Sequence, residues 1–203
     1  MKKEFVQSKE ETASATSPGA PKAMPALLAH DHSELDELLA GFFAALSARR
    51  LEQSFSQLDR FWARLAMHIR AEHLHLFPTL LRALERPLKK GGRGPSLEIA
   101  RSTISRLQED HDYFMRELAA AVKQLGALRS HPSEPGLRAV QEQVGGVSRR
   151  LETHNELEES QVYPWADLVL ESAEHVVLDE RMQKELGNLP PRFKPEERSR
   201  FKI

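Results

Sequence analysis

Apolar residues recur along most of the chain at helical spacing. From Pro25 onward, Leu28, Leu35, Leu39, Phe42 and Leu46 follow alternating three- and four-residue steps, and His32 stands at the step left vacant between Leu28 and Leu35. A second stretch, from about Leu51 to Glu85, puts Leu58, Phe61 and Leu65 on its inner face, and His68, Glu72 and His75 continue that line. A third, Ser96 to Leu128, turns Leu107, Phe114, Leu118 and Leu125 inward with His111 among them, while Arg106, Glu109 and Arg116 fall elsewhere. The fourth carries Val140, Val144, Val147, Leu151, His154, Glu158 and Val162 in the same rhythm, with Gly145 and Gly146 predicting a local bend. No segment has the pattern of a strand. Four amphipathic helices with short connections predict an all-α fold, an antiparallel up-down four-helix bundle, as the simplest way to bury four stripes.

The stretches outside this rhythm set the boundaries. Residues 1–24 are rich in Ser, Thr, Ala, Pro and charge without apolar periodicity, which predicts a flexible tail. Residues 25–173 form the predicted bundle, with RPLKKGGRGP (86–95) as an exposed connection between its halves and HPSEPG (131–136) as a turn. Residues 174–203 are expected to hold the rest of a short helix starting near 171 and a polar tail.

Composition then narrows the chemistry. With 203 residues the chain can bury one substantial core, and 29 Lys+Arg against 30 Asp+Glu give no charge imbalance that would draw nucleic acid or an anionic membrane. Cysteine is absent, which excludes thiolate metal sites, iron–sulfur clusters and a thiol nucleophile, so any metal must be held by nitrogen and oxygen. The basic N-terminus is followed by no apolar run, so neither a secretory signal nor a membrane span is expected, and the cytoplasm is the expected location.

The inward polar residues form an internal repeat. His68-Ile-Arg-Ala-Glu72 is followed by Phe77-Pro78, and His154-Asn-Glu-Leu-Glu158 by Tyr163-Pro164; in both, Glu lies four and Pro ten residues after His. The other two helices match as well, with Asp31-His32 and Asp110-His111 each placing one His on the inner stripe directly after an Asp. Side chains four apart share a helix face and can converge on one ion. Four imidazoles and two carboxylates, each carboxylate with two oxygens, can give each of two ions two nitrogens and two oxygens with a position left open. So many buried polar groups would be costly unless a cation or mutual hydrogen bonds compensated them. Imidazole with carboxylate suits iron, manganese or zinc, and the bundle setting favours two non-haem irons over manganese or zinc.

On these residues the chain resembles the hemerythrin and HHE cation-binding family over roughly residues 25–170. The resemblance implies a four-helix bundle with an oxo- or hydroxo-bridged di-iron centre ligated by His32, His68, Glu72, His111, His154 and Glu158. Oxygen-carrying members have a His-x-x-x-His pair on the third helix, whereas Met115 stands four residues after His111. They also carry a carboxylate five residues after the last His, where Glu159 stands, but the internal repeat selects Glu158. The ligand set is closer to that of bacterial iron-centre repair proteins and of the hemerythrin-like iron sensor of a eukaryotic ubiquitin ligase. Repair proteins add a cysteine motif that this sequence does not provide, so the resemblance extends to the di-iron module.

The function this implies is binding or sensing of a small diatomic, dioxygen or nitric oxide, in iron, oxidative or nitrosative stress. The alternatives are a di-iron enzyme with peroxidase, catalase or nitric oxide reductase activity, with peroxide among its small-molecule partners, and an iron store or sensor. An apolar pocket lined by Phe42, Leu65, Phe114 and Leu151 would keep the centre dry. His75, whose repeat counterpart is Gln161, is expected at the entrance or behind the ligands, and His30, His73, His131 and His175 in solvent. Asp31 and Asp110 would either orient ligands or sit on the helix surface, because adjacent helical residues diverge by about 100°. Tyr163, replaced by Phe77 in the other repeat, and Tyr113 are expected to pack rather than ligate, and Pro78 and Pro164 to kink or end their helices just beyond the ligands.

Overall fold

The structure, a computed structural model, describes residues 24–86 and 94–193. The predicted N-terminal tail before Met24, most of the 86–95 connection and the final polar residues lie outside that range. Among the described residues there is no strand, and the fold is a helical bundle. Its four long helices are α1 (Met24–Ser47), α2 (Leu51–Ala71), α4 (Leu97–Ser130) and α5 (Glu134–Leu157). They pack in a ring in which α1 meets α2 and α5, and α4 meets α2 and α5, as an up-down-up-down bundle requires.

Local chemistry explains the helix ends. Arg49, in the left-handed region with φ 58°, lets the N–H groups of Arg49 and Arg50 reach back to the carbonyls of Leu46 and Ala45, closing α1. Ser96 and Ser133 cap α4 and α5 by accepting from the N–H of Ile99 and Gly136. At Gly136 a Cβ would stand 2.6 Å from Leu128 Cδ2 and 2.8 Å from Ser133 Oγ, so a larger residue there would make both side chains move. Gly145 and Gly146 lie within the uninterrupted α5 rather than breaking it.

The two proline-bearing helices depart from expectation. Each is interrupted by a π-helical turn, Glu72–Leu76 and Glu158–Val162, and resumes as α3 (Phe77–Leu84) and α6 (Tyr163–Val169). Pro78 and Pro164 lack an N–H, and a proline ring collides with the carbonyl four residues back in an α-helix. The chain instead bonds Phe77 N–H to the Glu72 carbonyl and Tyr163 N–H to the Glu158 carbonyl, five residues back, holding one extra residue in the turn. The departure thus begins at the two glutamates, not beyond them.

The core falls into two apolar clusters. One, with Leu39, Phe42, Phe61, Phe114, Leu118 and Val144, fills the end of the bundle where α1 turns into α2. The other, with Leu28, Phe77, Ile104, Tyr163 and Trp165, fills the opposite end. There α7 (Ser172–Leu186) adds Leu178 and Met182, and its Asp179 accepts the N–H of Met24 at 2.8 Å. Between the clusters lies a layer of buried histidines and carboxylates.

Candidate metal centre

All six residues selected by the repeat meet in that layer. His32, His68, Glu72, His111, His154 and Glu158 are each no more than 4% exposed. Reactive atoms of His32, His68 and Glu158 lie within 4.8 Å of one another, and so do those of His111, His154 and Glu158. The Nε2 atoms of His32 and His68 are 3.2 Å apart, and those of His111 and His154 are 3.0 Å apart.

The two glutamates span both pairs. Glu158 places Oε2 3.4 Å from His32 Nε2 and Oε1 3.0 Å from His154 Nε2. Glu72 places Oε1 3.6 Å from His68 Nε2 and Oε2 3.4 Å from His111 Nε2. Each carboxylate therefore offers one oxygen to each histidine pair.

Behind the histidines stands a set of residues that fixes their orientation. His68 Nδ1 donates to Asp31 at 2.8 Å, and Arg64 pairs with the other Asp31 oxygen and with Glu34. The second half repeats this, with His154 Nδ1 donating to Asp110 at 3.2 Å and Arg150 Nε donating to Asp110 at 2.6 Å. His32 Nδ1 donates to Glu159 at 2.7 Å. A neutral imidazole that donates from Nδ1 keeps a bare lone pair on Nε2, the nitrogen facing the cluster. His111 Nδ1 meets His73 Nε2 at 2.9 Å, and donation from His111 leaves its Nε2 bare as well.

The sequence pattern therefore left Asp31 and Asp110 between two roles and missed other contributors. Asp31 and Asp110 are buried, and each orients a histidine on the neighbouring helix rather than facing solvent. His73, expected in solvent, is half-buried against His111. Glu158 enters the cluster and Glu159 supports it from behind. Tyr163 is more than packing, since its hydroxyl lies 2.9 Å from Glu72 Oε1 and 3.0 Å from Glu158 Oε2 and can give its one proton to either. Tyr113 lies outside the cluster, under the Arg150 guanidinium at 4.3 Å. His30 and His131 are exposed, His175 lies 3.9 Å from Asp167, and His75 is only partly buried, 4.0 Å from Glu185. Of the expected pocket residues, Phe42, Leu65, Phe114 and Leu151 all belong to one apolar cluster, and the Phe114 ring meets His154 edge-on at 5.2 Å. The signal for the missed arginines was present: Arg64 and Arg150 each stand four residues before a ligand-type His, extending the repeat to Arg-x-x-x-His-x-x-x-Glu.

The charges of the layer are strongly coupled. Burial lowers the His68 imidazole, but Glu72 and Asp31 more than reverse this and hold it well above the usual histidine range. Burial likewise opposes the charge on His154, and Glu158 overrides it upward. Burial pushes His111 well below that range against the pull of Glu158. Burial and the charge of Glu158 raise the Glu72 carboxyl, whereas His154, His32 and His111 overcome burial to hold Glu158 well below the usual carboxylate range. Burial and both carboxylates push the Tyr163 phenol well above its ordinary value, so it keeps its proton and donates.

Two buried atoms, Glu72 Oε2 and Glu158 Oε1, accept no hydrogen bond, although each faces an imidazole nitrogen. Burial keeps His111 neutral, and with its Nδ1 donating to His73 its bare Nε2 sets lone pair against lone pair with Glu72 Oε2 unless a cation lies between them. The buried groups thus fit a metal centre of nitrogen and oxygen donors.

The comparisons with known proteins agree. The chain matches the hemerythrin HHE cation binding domain over residues 23–166 and belongs to that family. No curated protein and no solved structure matches it. No described helix is long and apolar enough to cross a membrane.

Proposed function

We propose that the chain holds two non-haem irons, one between His32 and His68 and one between His111 and His154, bridged by Glu72 and Glu158, and that it binds or senses dioxygen or nitric oxide. The observation that carries this reading is the span of the two carboxylates, each with one oxygen on each histidine pair. When bound, the iron pair would supply electrons and an exchangeable coordination position. The protein's part is to present four Nε2 lone pairs held from behind by Asp31, Asp110, Glu159 and His73, to keep a proton at the Tyr163 oxygen, and to exclude water with the apolar clusters on both sides. Set in this family, such a centre suits a role in iron, oxidative or nitrosative stress.

Metal analysis with optical spectra of the aerobic, reduced and re-oxygenated protein tests the reading. Two irons per chain and a spectrum that cycles with dioxygen or nitric oxide are expected; one zinc, or no metal after iron-replete expression, would falsify it.

One observation favours a second reading, a di-iron enzyme acting on peroxide or nitric oxide. The Tyr163 hydroxyl stands against the carboxylates of the centre, within hydrogen-bond reach of an oxygen reduced there. Sustained turnover by the wild type, lost in His68→Ala and His154→Ala, would select that reading over reversible binding.

A further inference from the structure

The ligand frame is duplicated, but one oxygen is not. Tyr163 and Phe77 hold equivalent places: each follows a π turn, five residues after Glu158 or Glu72, and each ring lies beside the lone histidine of one half. The Tyr163 ring is 5.8 Å from the His32 ring, and the Phe77 ring is 6.1 Å from the His111 ring. The Tyr163 oxygen lies 3.3 Å and 3.4 Å from Nε2 of His32 and His68, and 2.9 Å and 3.0 Å from Glu72 Oε1 and Glu158 Oε2. Every donor atom on that side faces it. On the other side Phe77 presents only C–H, and the matching oxygens, Glu72 Oε2 and Glu158 Oε1, are the two that accept no hydrogen bond.

We propose that Tyr163 makes the two metal positions inequivalent: its hydroxyl fills the space a small exogenous ligand would need at the His32/His68 position and directs that ligand to the His111/His154 position, beside Phe77. The inference deepens the two-iron reading and rests on it. Tyr163 acts here as a specificity-determining residue for where a diatomic binds, whether or not the protein turns it over. The Tyr163 oxygen stands within 3.4 Å of all four donor atoms on its side, so a ligand entering there must push the ring aside, whereas the Phe77 side holds no such oxygen.

The test uses the full-length protein loaded with isotopically enriched iron, reduced and titrated with nitric oxide. Iron is counted first, and Mössbauer spectra then report what fraction of the iron takes the ligand. In the wild type half the absorption should shift; in Tyr163→Phe, which removes only the oxygen, nearly all of it should. Phe77→Tyr, which adds an oxygen on the other side, should weaken nitric oxide binding by about tenfold or more. Two irons that both shift in the wild type, or a Tyr163→Phe protein in which still only half shifts, would overturn the inference and leave the two-iron reading standing. A count below two irons removes both.

Discussion

His73 and Glu159 occupy the same place in the two halves of the centre and do chemically different work. Each stands one residue past a glutamate of the cluster, and each hydrogen-bonds the Nδ1 of a lone histidine, His111 at 2.9 Å and His32 at 2.7 Å. Glu159 accepts with a carboxylate, whereas His73 meets its partner with an imidazole whose charge burial disfavours. The His32 side is therefore backed by more negative charge than the His111 side.

Hydrogen bonds to a charged acceptor are roughly twice as strong as neutral ones. Glu159→Gln should accordingly weaken metal binding by about 10–100-fold, and His73→Gln by less, since supporting residues of this kind typically carry that much affinity. Competition against a chelator of known affinity measures both. Equal losses in the two variants would contradict the asymmetry.

Asp31 gives a prediction in pH for the metal-free protein. Burial would raise its carboxyl, but the hydrogen bond and charge of His68, with Arg64 beside them, hold it below its ordinary value. A depressed carboxyl contributes stability that is fully present above its unfolded value, about 3.9, and is lost as pH falls through the lower folded one. His68 has the opposite sign: its raised value contributes stability present below about 6.5 and lost as pH rises through the folded value. The wild type should exceed Asp31→Asn most between those two limits, with the gap narrowing on both sides. Thermal melts of both metal-free proteins across the pH range would show it, and a pH-independent gap would refute it.

Metal removal should lower stability as well as abolish ligand binding. Occupied sites stabilise the folded chain by mass action, about 2.7 kcal/mol at a free metal concentration of 100 times Kd. Chelation should lower the melting temperature, and restoring iron should recover it. A melting temperature indifferent to chelator would mean that the buried layer is satisfied without a cation.

Phe114 couples the core to the site. Its ring is fully buried and meets His154 edge-on, so Phe114→Ala should cost about 3–5 kcal/mol in denaturant unfolding. Metal affinity should fall in the same variant because His154 loses a wall. Unchanged affinity would show that Asp110 alone positions His154.

The four helices and the six clustered side chains were legible because both depend on spacing within one helix, where an inward stripe and a four-residue step are visible in the sequence. Asp31 and Asp110 were legible only as two alternatives, ligand support or helix surface, because each acts on the next helix, and a pattern along one helix does not say what faces it across the bundle. His73 was hidden because it stands about 100° round the helix from Glu72 and reaches His111 across the bundle, a contact that spacing along one helix does not reveal. Tyr163 was discounted because its counterpart is Phe77, yet that mismatch is where the symmetry of the site breaks.

The polar layer also bears on cooperativity. It separates two apolar clusters that share few side chains, one between the bundle's middle and the α1–α2 turn and the other under α3, α6 and α7. Cations held across all four long helices, as proposed, would tie these clusters into one folding unit. Without them this buried polar seam is where the protein would come apart into two separately opening halves.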